Sequence, residues 1–102
     1  MDEKDLIRLQ NLQQQLQSFS LQKQNLQLQA VEYENALKEL QNSKEVYKIV
    51  GSIMVKKNKE EVEKELKEKK ELNDMRLESY NKQIKKITEE IQELQKKLLS
   101  KK

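Results

Sequence analysis

The sequence predicts a mostly α protein: a long antiparallel two-helix coiled coil joined by one β-hairpin, with the hairpins of several copies assembling into an oligomeric β-barrel. Three observations predict it. Apolar residues recur at alternating steps of three and four through both halves of the chain, and no proline interrupts them. A single glycine, Gly51, separates Val46-Tyr47-Lys48-Ile49-Val50 from Ile53-Met54-Val55, where helical spacing stops. Folding the chain back between Gly51 and Ser52 lays one apolar seam against the other.

The first helix is expected from about Asp2 to Asn42. Asp2, Glu3 and Asp5 place negative charge where the helix dipole favours it. Leu9, Leu12, Leu16, Phe19, Lys23, Leu26, Ala30, Tyr33, Leu37 and Leu40 form an unbroken seam with one polar member, Lys23, whose stem can lie along it. Glutamine fills much of the remaining surface. Asn42-Ser43 ends the pattern.

The hairpin follows. Gly51 supplies the positive φ needed at the first central position of a type II′ turn, and Ser52 suits the second. Alternation puts Val46, Val50, Ile53 and Val55 on one face and Tyr47, Ile49 and Met54 on the other. Both faces are thus apolar, and both edges carry unpaired backbone groups. An isolated ribbon of this kind is marginal in water. Burying five or six of its side chains is worth roughly 8–15 kcal/mol gross, against an association cost of about 4–15 kcal/mol. One pairwise contact barely suffices, so several hairpins are expected to join edge to edge. The competing arrangement folds the hairpin onto its own helices, whose neighbouring ends are highly charged.

The second helix is expected from Asn58, a good N-cap followed by Glu60 and Glu61, to about Ser100. Leu77, Tyr80, Ile84, Ile87, Ile91, Leu94 and Leu98 form its seam. Extended backwards, the frame passes through Asn73, Lys70, Leu66 and Glu63. Leu72, Met75 and Val62 lie beside it, so a local shift of register is expected there. With the fold-back at Gly51-Ser52, Leu9 faces Leu94, Leu12 faces Ile91, Leu16 faces Ile87, Phe19 faces Ile84 and Leu26 faces Leu77. Lys23 faces Tyr80, which suggests a cation over a ring, and Tyr33 faces Lys70. Each helix would be roughly 60–65 Å long, and the chain reads as one unit: 1–43 first helix, 45–57 hairpin, 58–102 second helix.

Composition agrees with this thin architecture. Charged residues make up 38% and apolar residues 34%, too little to fill a thick core but enough for a seam. Such polarity also suits disorder; the unbroken periodicity selects helices instead. Charges of both signs are interleaved, as on solvated helix faces, which gives no basic groove for nucleic acid. No apolar stretch suggests a signal peptide or a membrane span. With no His and no Cys, the usual general base, thiol nucleophile and commonest metal ligands are missing. One glycine makes no phosphate-cradling loop, and the carboxylates alternate with lysines at i,i+4. Neither an enzyme nor a cofactor is expected, and no catalytic, cofactor-binding or metal-ligating residue is nominated.

Apolar residues that the seam does not use are the remaining candidates. Leu6, Ile7, Leu21, Leu28, Val31 and Leu99 fall outside it. Leu6, Ile7 and Leu99 gather at the free end with Leu9, Leu94 and Leu98, where no third layer covers them. Lys101-Lys102 follow as a site for an acidic partner or as a solubilising tail.

Val46-Tyr47-Lys48-Ile49-Val50-Gly51, then Ile53-Met54-Val55-Lys56-Lys57, then Asn58-Lys59-Glu60-Glu61 opening a long helix resembles prefoldin, and more narrowly a β-class subunit of archaeal or eukaryotic β-like type. Gln13-Gln14-Gln15-Leu16-Gln17 and Gln22-Lys23-Gln24 are also similar to that class. The chain departs from the family's pattern at Asn42-Ser43-Lys44-Glu45, where an acidic stretch is common, and at Ser52, where proline is common. The resemblance implies a hexamer of two α and four β subunits, hairpins joined in a double barrel, and ATP-independent holding of unfolded proteins by coiled-coil tips, with delivery to a group II chaperonin. Mapped onto this chain, the assembly hairpin is Val46, Tyr47, Ile49, Val50, Gly51, Ile53, Met54 and Val55. The client-binding tips are Leu6, Ile7, Leu9, Leu12, Leu94, Leu98 and Leu99, and Lys101 and Lys102 are candidates for chaperonin contact. Expected partners are α-class subunits, further copies of this chain, unfolded clients and the chaperonin, in the cytoplasm, with neither nucleic acid nor membrane. The alternative class is a structural or tethering coiled coil without client binding.

Overall fold

The computed structural model describes residues 3–100. Its elements run α1 (Glu3–Gln41), β1 (Val46–Val50), β2 (Ile53–Lys57) and α2 (Lys59–Ser100). The two helix ends that flank the hairpin are set by identifiable groups. At the end of α1, the Asn42 and Ser43 amides donate to the Glu39 and Leu40 carbonyls, and the Ser43 hydroxyl donates to Glu39 O at 2.7 Å. Lys59 Nζ reaches the Gln41 carbonyl at 3.3 Å. Carbonyls that a helix end leaves unpaired are satisfied in this way. Asn58 caps α2: its Oδ1 accepts from the Glu60 amide at 2.9 Å, and its carbonyl accepts from Val62.

The chain divides into two compact units. One comprises α1 up to Asn25 and α2 from Arg76; the other comprises Leu26–Met75.

In the first unit Leu12, Ile87, Ile91 and Leu94 form the buried core, with Leu9, Leu16 and Phe19 packed against it. The expected partners Leu9–Leu94, Leu12–Ile91 and Leu16–Ile87 all lie in this cluster. Burying each such aliphatic side chain contributes about 1.5–3 kcal/mol. Ion pairs flank the core, Arg8 with Glu90 at 3.7 Å and Lys97 with Asp5 at 4.0 Å. The expected cation over the Tyr80 ring is replaced by a different contact. The ring packs on Phe19, centroids 5.7 Å apart and tilted by 53°, and its hydroxyl donates to Gln22 Oε1. A phenol beside the seam can bury its ring while its hydroxyl finds a polar acceptor at the rim, which satisfies both ends of the side chain.

In the second unit Leu40 is buried, while Leu26, Ala30, Tyr33 and Leu37 are half-buried. The α2 side of this seam is polar. Lys70 turns its ammonium to Glu34 at 3.5 Å, and Glu63 accepts from Gln41 at 3.2 Å. The expected shift of register does not occur at Leu72 and Met75, which stay exposed while Asn73 keeps the seam position with 3% of its surface exposed. Val62, the third residue beside the frame, is half-buried next to Leu40 and Leu66. Its Nδ2 donates to the Leu26 carbonyl at 2.9 Å. A buried amide is costly without a partner, and this frame gives it one.

The hairpin is antiparallel, with Val46 opposite Lys57 and Val50 opposite Ile53, so every pair adds to 103. Gly51 has φ +62° and no other residue among those described has positive φ. One positive φ, at the first central residue, is the type II′ signature and excludes type I′, which needs two.

Candidate functional site

The two nominated surfaces lie in different units and are described in turn. In the hairpin, the register places Tyr47, Ile49, Met54 and Lys56 on one face and Val46, Lys48, Val50, Ile53, Val55 and Lys57 on the other. Lys48 fixes the second face toward α2, because its Nζ bonds Glu65 Oε1 at 3.0 Å. That ammonium holds the Glu65 carboxyl below the usual glutamate range. Beneath Val46 an open depression of about 320 Å³ is lined by Ala36, Leu40, Val62 and Leu66 among others. Only Val46 and Lys48 are partly covered by the helices. Tyr47, Ile49, Val50, Ile53, Met54 and Val55 all remain exposed, Ile49 by 71%. The ribbon is therefore not folded back onto its own helices.

One polar contact orients the outer face. The Tyr47 hydroxyl donates to Glu45 Oε2 at 2.8 Å, and the carboxylate beside it raises the phenol's pKa above its usual range. Apolar side chains on both faces, flanked by free edges, are a surface for pairing with other strands.

At the free end of the first unit, Leu6, Ile7, Leu98 and Leu99 are exposed. Leu9 is half-buried, whereas Leu12 and Leu94 belong to the core, each 8% exposed. The seven nominated tip residues thus separate into four that face solvent, one at the margin and two that hold the helices together. Lys101 and Lys102 lie outside the described residues. Leu21, Leu28 and Val31 are exposed on α1, as their positions off the seam imply.

Sequence reasoning did not single out the link from Lys48 to Glu65 or the bond from Asn73 to Leu26. The first joins residues of opposite charge 17 positions apart, with no periodic signal to mark it. The second was marked only as one of several polar residues, with Lys70 and Glu63, on the backward extension of the α2 frame. No helix among the described residues is long and apolar enough to cross a membrane.

Comparison with known proteins gives consistent results. Residues 3–102 match the family described as prefoldin subunit. The chain is 44% identical over 93 residues to the prefoldin subunit beta of Archaeoglobus fulgidus, covering 88% of this chain and 80% of that protein. It is 41% identical over 93 residues to the prefoldin subunit beta of Thermococcus onnurineus, with the same coverage. Among solved structures, the prefoldin beta subunit from Thermococcus strain KS-1 superposes with a TM-score of 0.88 at 39% identity, over 96% of this chain and 89% of that one. The prefoldin beta2 subunit of the same strain gives 0.76 at 23% identity, over 86% and 97%, which is a likeness of fold.

Proposed function

The chain belongs to the prefoldin family as a β-type chaperone subunit, and from that premise we propose that it holds unfolded proteins at the exposed leucines and isoleucine of its free end. The family's role is capture of unfolded chains and their delivery to a chaperonin, and its subunits act in complexes with one another. For this chain the proposed complex is a hexamer of two α-class and four β-class subunits in the cytoplasm, handing its clients to a group II chaperonin. Holding requires no ATP. Lys101 and Lys102 are the proposed chaperonin contact.

The observation that carries this reading is the hairpin with six apolar side chains on two faces that its own helices leave exposed. Such a ribbon is completed by other strands. Joining several subunits through their hairpins places several weakly binding ends on one particle. An end that binds client side chains at about millimolar strength contributes near −4 kcal/mol. Several ends on one particle raise the overall affinity through effective concentration, while each contact stays weak enough to release. Leu6, Ile7, Leu98 and Leu99 supply that surface; Leu12 and Leu94 support it from the core.

The test is quadruple replacement of Leu6, Ile7, Leu98 and Leu99 by serine in the complex formed with an α-class subunit. Light scattering should show weaker suppression of aggregation of denatured citrate synthase, with the mass of the complex unchanged. Full suppression at unchanged mass would overturn the assignment of client holding to these four residues, whereas a native complex that suppresses no aggregation would leave the tethering coiled coil as the better description.

A further inference from the structure

Ile7, Gln10, Gln14, Gln17, Leu21 and Gln24 repeat the three-four spacing of a seam, yet all are exposed on the side of α1 away from the core. Between Arg8 and Glu32 the helix carries one charge, Lys23, and that residue lies in the buried seam. The outer stripe is therefore uncharged from Ile7 to Gln24, a length of about 26 Å. The matching outer stripe of α2 in the same unit is Glu78, Lys82, Lys85, Glu89, Gln92 and Lys96, all exposed and all but Gln92 charged. One helix of this unit thus presents dense charge and the other presents carboxamides with two aliphatic side chains. Among the described residues, the side chains of Gln10, Gln14, Gln17 and Gln24 have no hydrogen-bond partner, whereas Gln22, on the seam side, is engaged by Ser18 and Tyr80.

We propose that this stripe is a second client-binding surface, one that takes an extended, uncharged polypeptide segment along α1 by pairing glutamine carboxamides with client backbone. The proposal rests on the holding function above and names the kind of segment held. Unfolded clients share two things whatever their sequence: apolar side chains and a backbone donor and acceptor at each residue. A glutamine offers two N–H donors and an acceptor oxygen on a flexible stem, so it pairs with backbone in either direction. Ile7 and Leu21 give the apolar contact at the two ends of the run. Covering a charged side chain with a client would cost its hydration; this stripe has none to cover. A length of about 26 Å matches roughly eight extended residues. Ile7 also belongs to the exposed free end, so the two surfaces are continuous within the unit.

The test uses the complex with an α-class subunit. Gln10→Glu, Gln14→Lys, Gln17→Glu and Gln24→Lys together leave net charge unchanged, keep helix propensity nearly constant and set opposite charges at i,i+4 (10 and 14) and i,i+3 (14 and 17). The expected result is client affinity at least about tenfold weaker, equivalent to about 1.4 kcal/mol, with thermal midpoint and complex mass unchanged. A photo-cross-linking residue replacing Gln17 in the otherwise native chain should capture denatured citrate synthase. Loss of holding on Leu6, Leu98 and Leu99→Ser combined with full holding by the stripe variant overturns the stripe and leaves the tip reading intact. Full holding by both variants overturns both the stripe and the tip assignment, and failure of the native complex to hold overturns the holding function itself. Cross-links from position 17 only to other copies of this chain assign the stripe to subunit contact and also overturn the proposal.

Discussion

Replacing Asn73 by leucine should make the chain more stable and less uniquely folded. Asn73 is the most deeply buried residue of the core set, and its one interhelical bond runs to the Leu26 carbonyl at 2.9 Å. Losing that bond costs about 0.5–1.5 kcal/mol. Burying a leucine at the same seam position contributes about 1.5–3 kcal/mol. The Leu26 carbonyl lies inside α1 and keeps its helical partner, so no buried acceptor is orphaned. The net expectation is stabilisation by about 1 kcal/mol, which raises the thermal midpoint by about 4–8 °C for a domain of this size.

The cost appears in specificity. With leucine at 73, Leu72, Met75 and the new side chain offer α2 several frames of similar apolar content. Only the native frame pairs an asparagine with a carbonyl, the device by which a single polar seam residue fixes register. The sequence has no cysteine, so nitroxides can be placed uniquely through Glu32→Cys and Glu71→Cys, both exposed and both in the second unit. Their distance distribution should be narrow with Asn73. With leucine it should gain a second population or broaden by about 5 Å, one helical turn. Both measurements belong at fixed protein concentration, because association shifts the midpoint. A midpoint that falls, or a distribution as narrow as that of the native chain, would refute the argument.

Two further outcomes follow from local geometry. Gly51→Ala should destabilise the hairpin by about 1–2 kcal/mol from backbone strain alone, since φ is +62° and a Cβ there meets nothing within 4 Å; an unchanged denaturation midpoint would contradict the turn assignment. Glu65, held by Lys48, should titrate below the usual glutamate value of about 4.3, as its lowered pKa requires. Its ion pair therefore stabilises the folded chain above that value and is lost as pH falls through the lower folded pKa. Carboxyl NMR titration should show the midpoint rising in Lys48→Met; a midpoint indifferent to Lys48 would dismiss the link that orients the ribbon.

The sequence by itself determined the helix limits, the seam of α1 and the hairpin register. Every seam position from Leu9 to Leu40 is buried or half-buried, and the strand pairs follow the fold-back at Gly51-Ser52. These are local or periodic properties: a helix turns by a fixed angle per residue, and one glycine can adopt what its neighbours cannot. Tertiary structure decided the rest. It kept Asn73 in the seam while leaving Leu72 and Met75 outside, set Tyr80 on Phe19 and Gln22 instead of Lys23, and divided the tip leucines into core and surface. Periodicity names the side chains able to face a partner helix. Which of them enters depends on the acceptors and spaces that the partner presents, and those come from residues some 50 to 80 positions away.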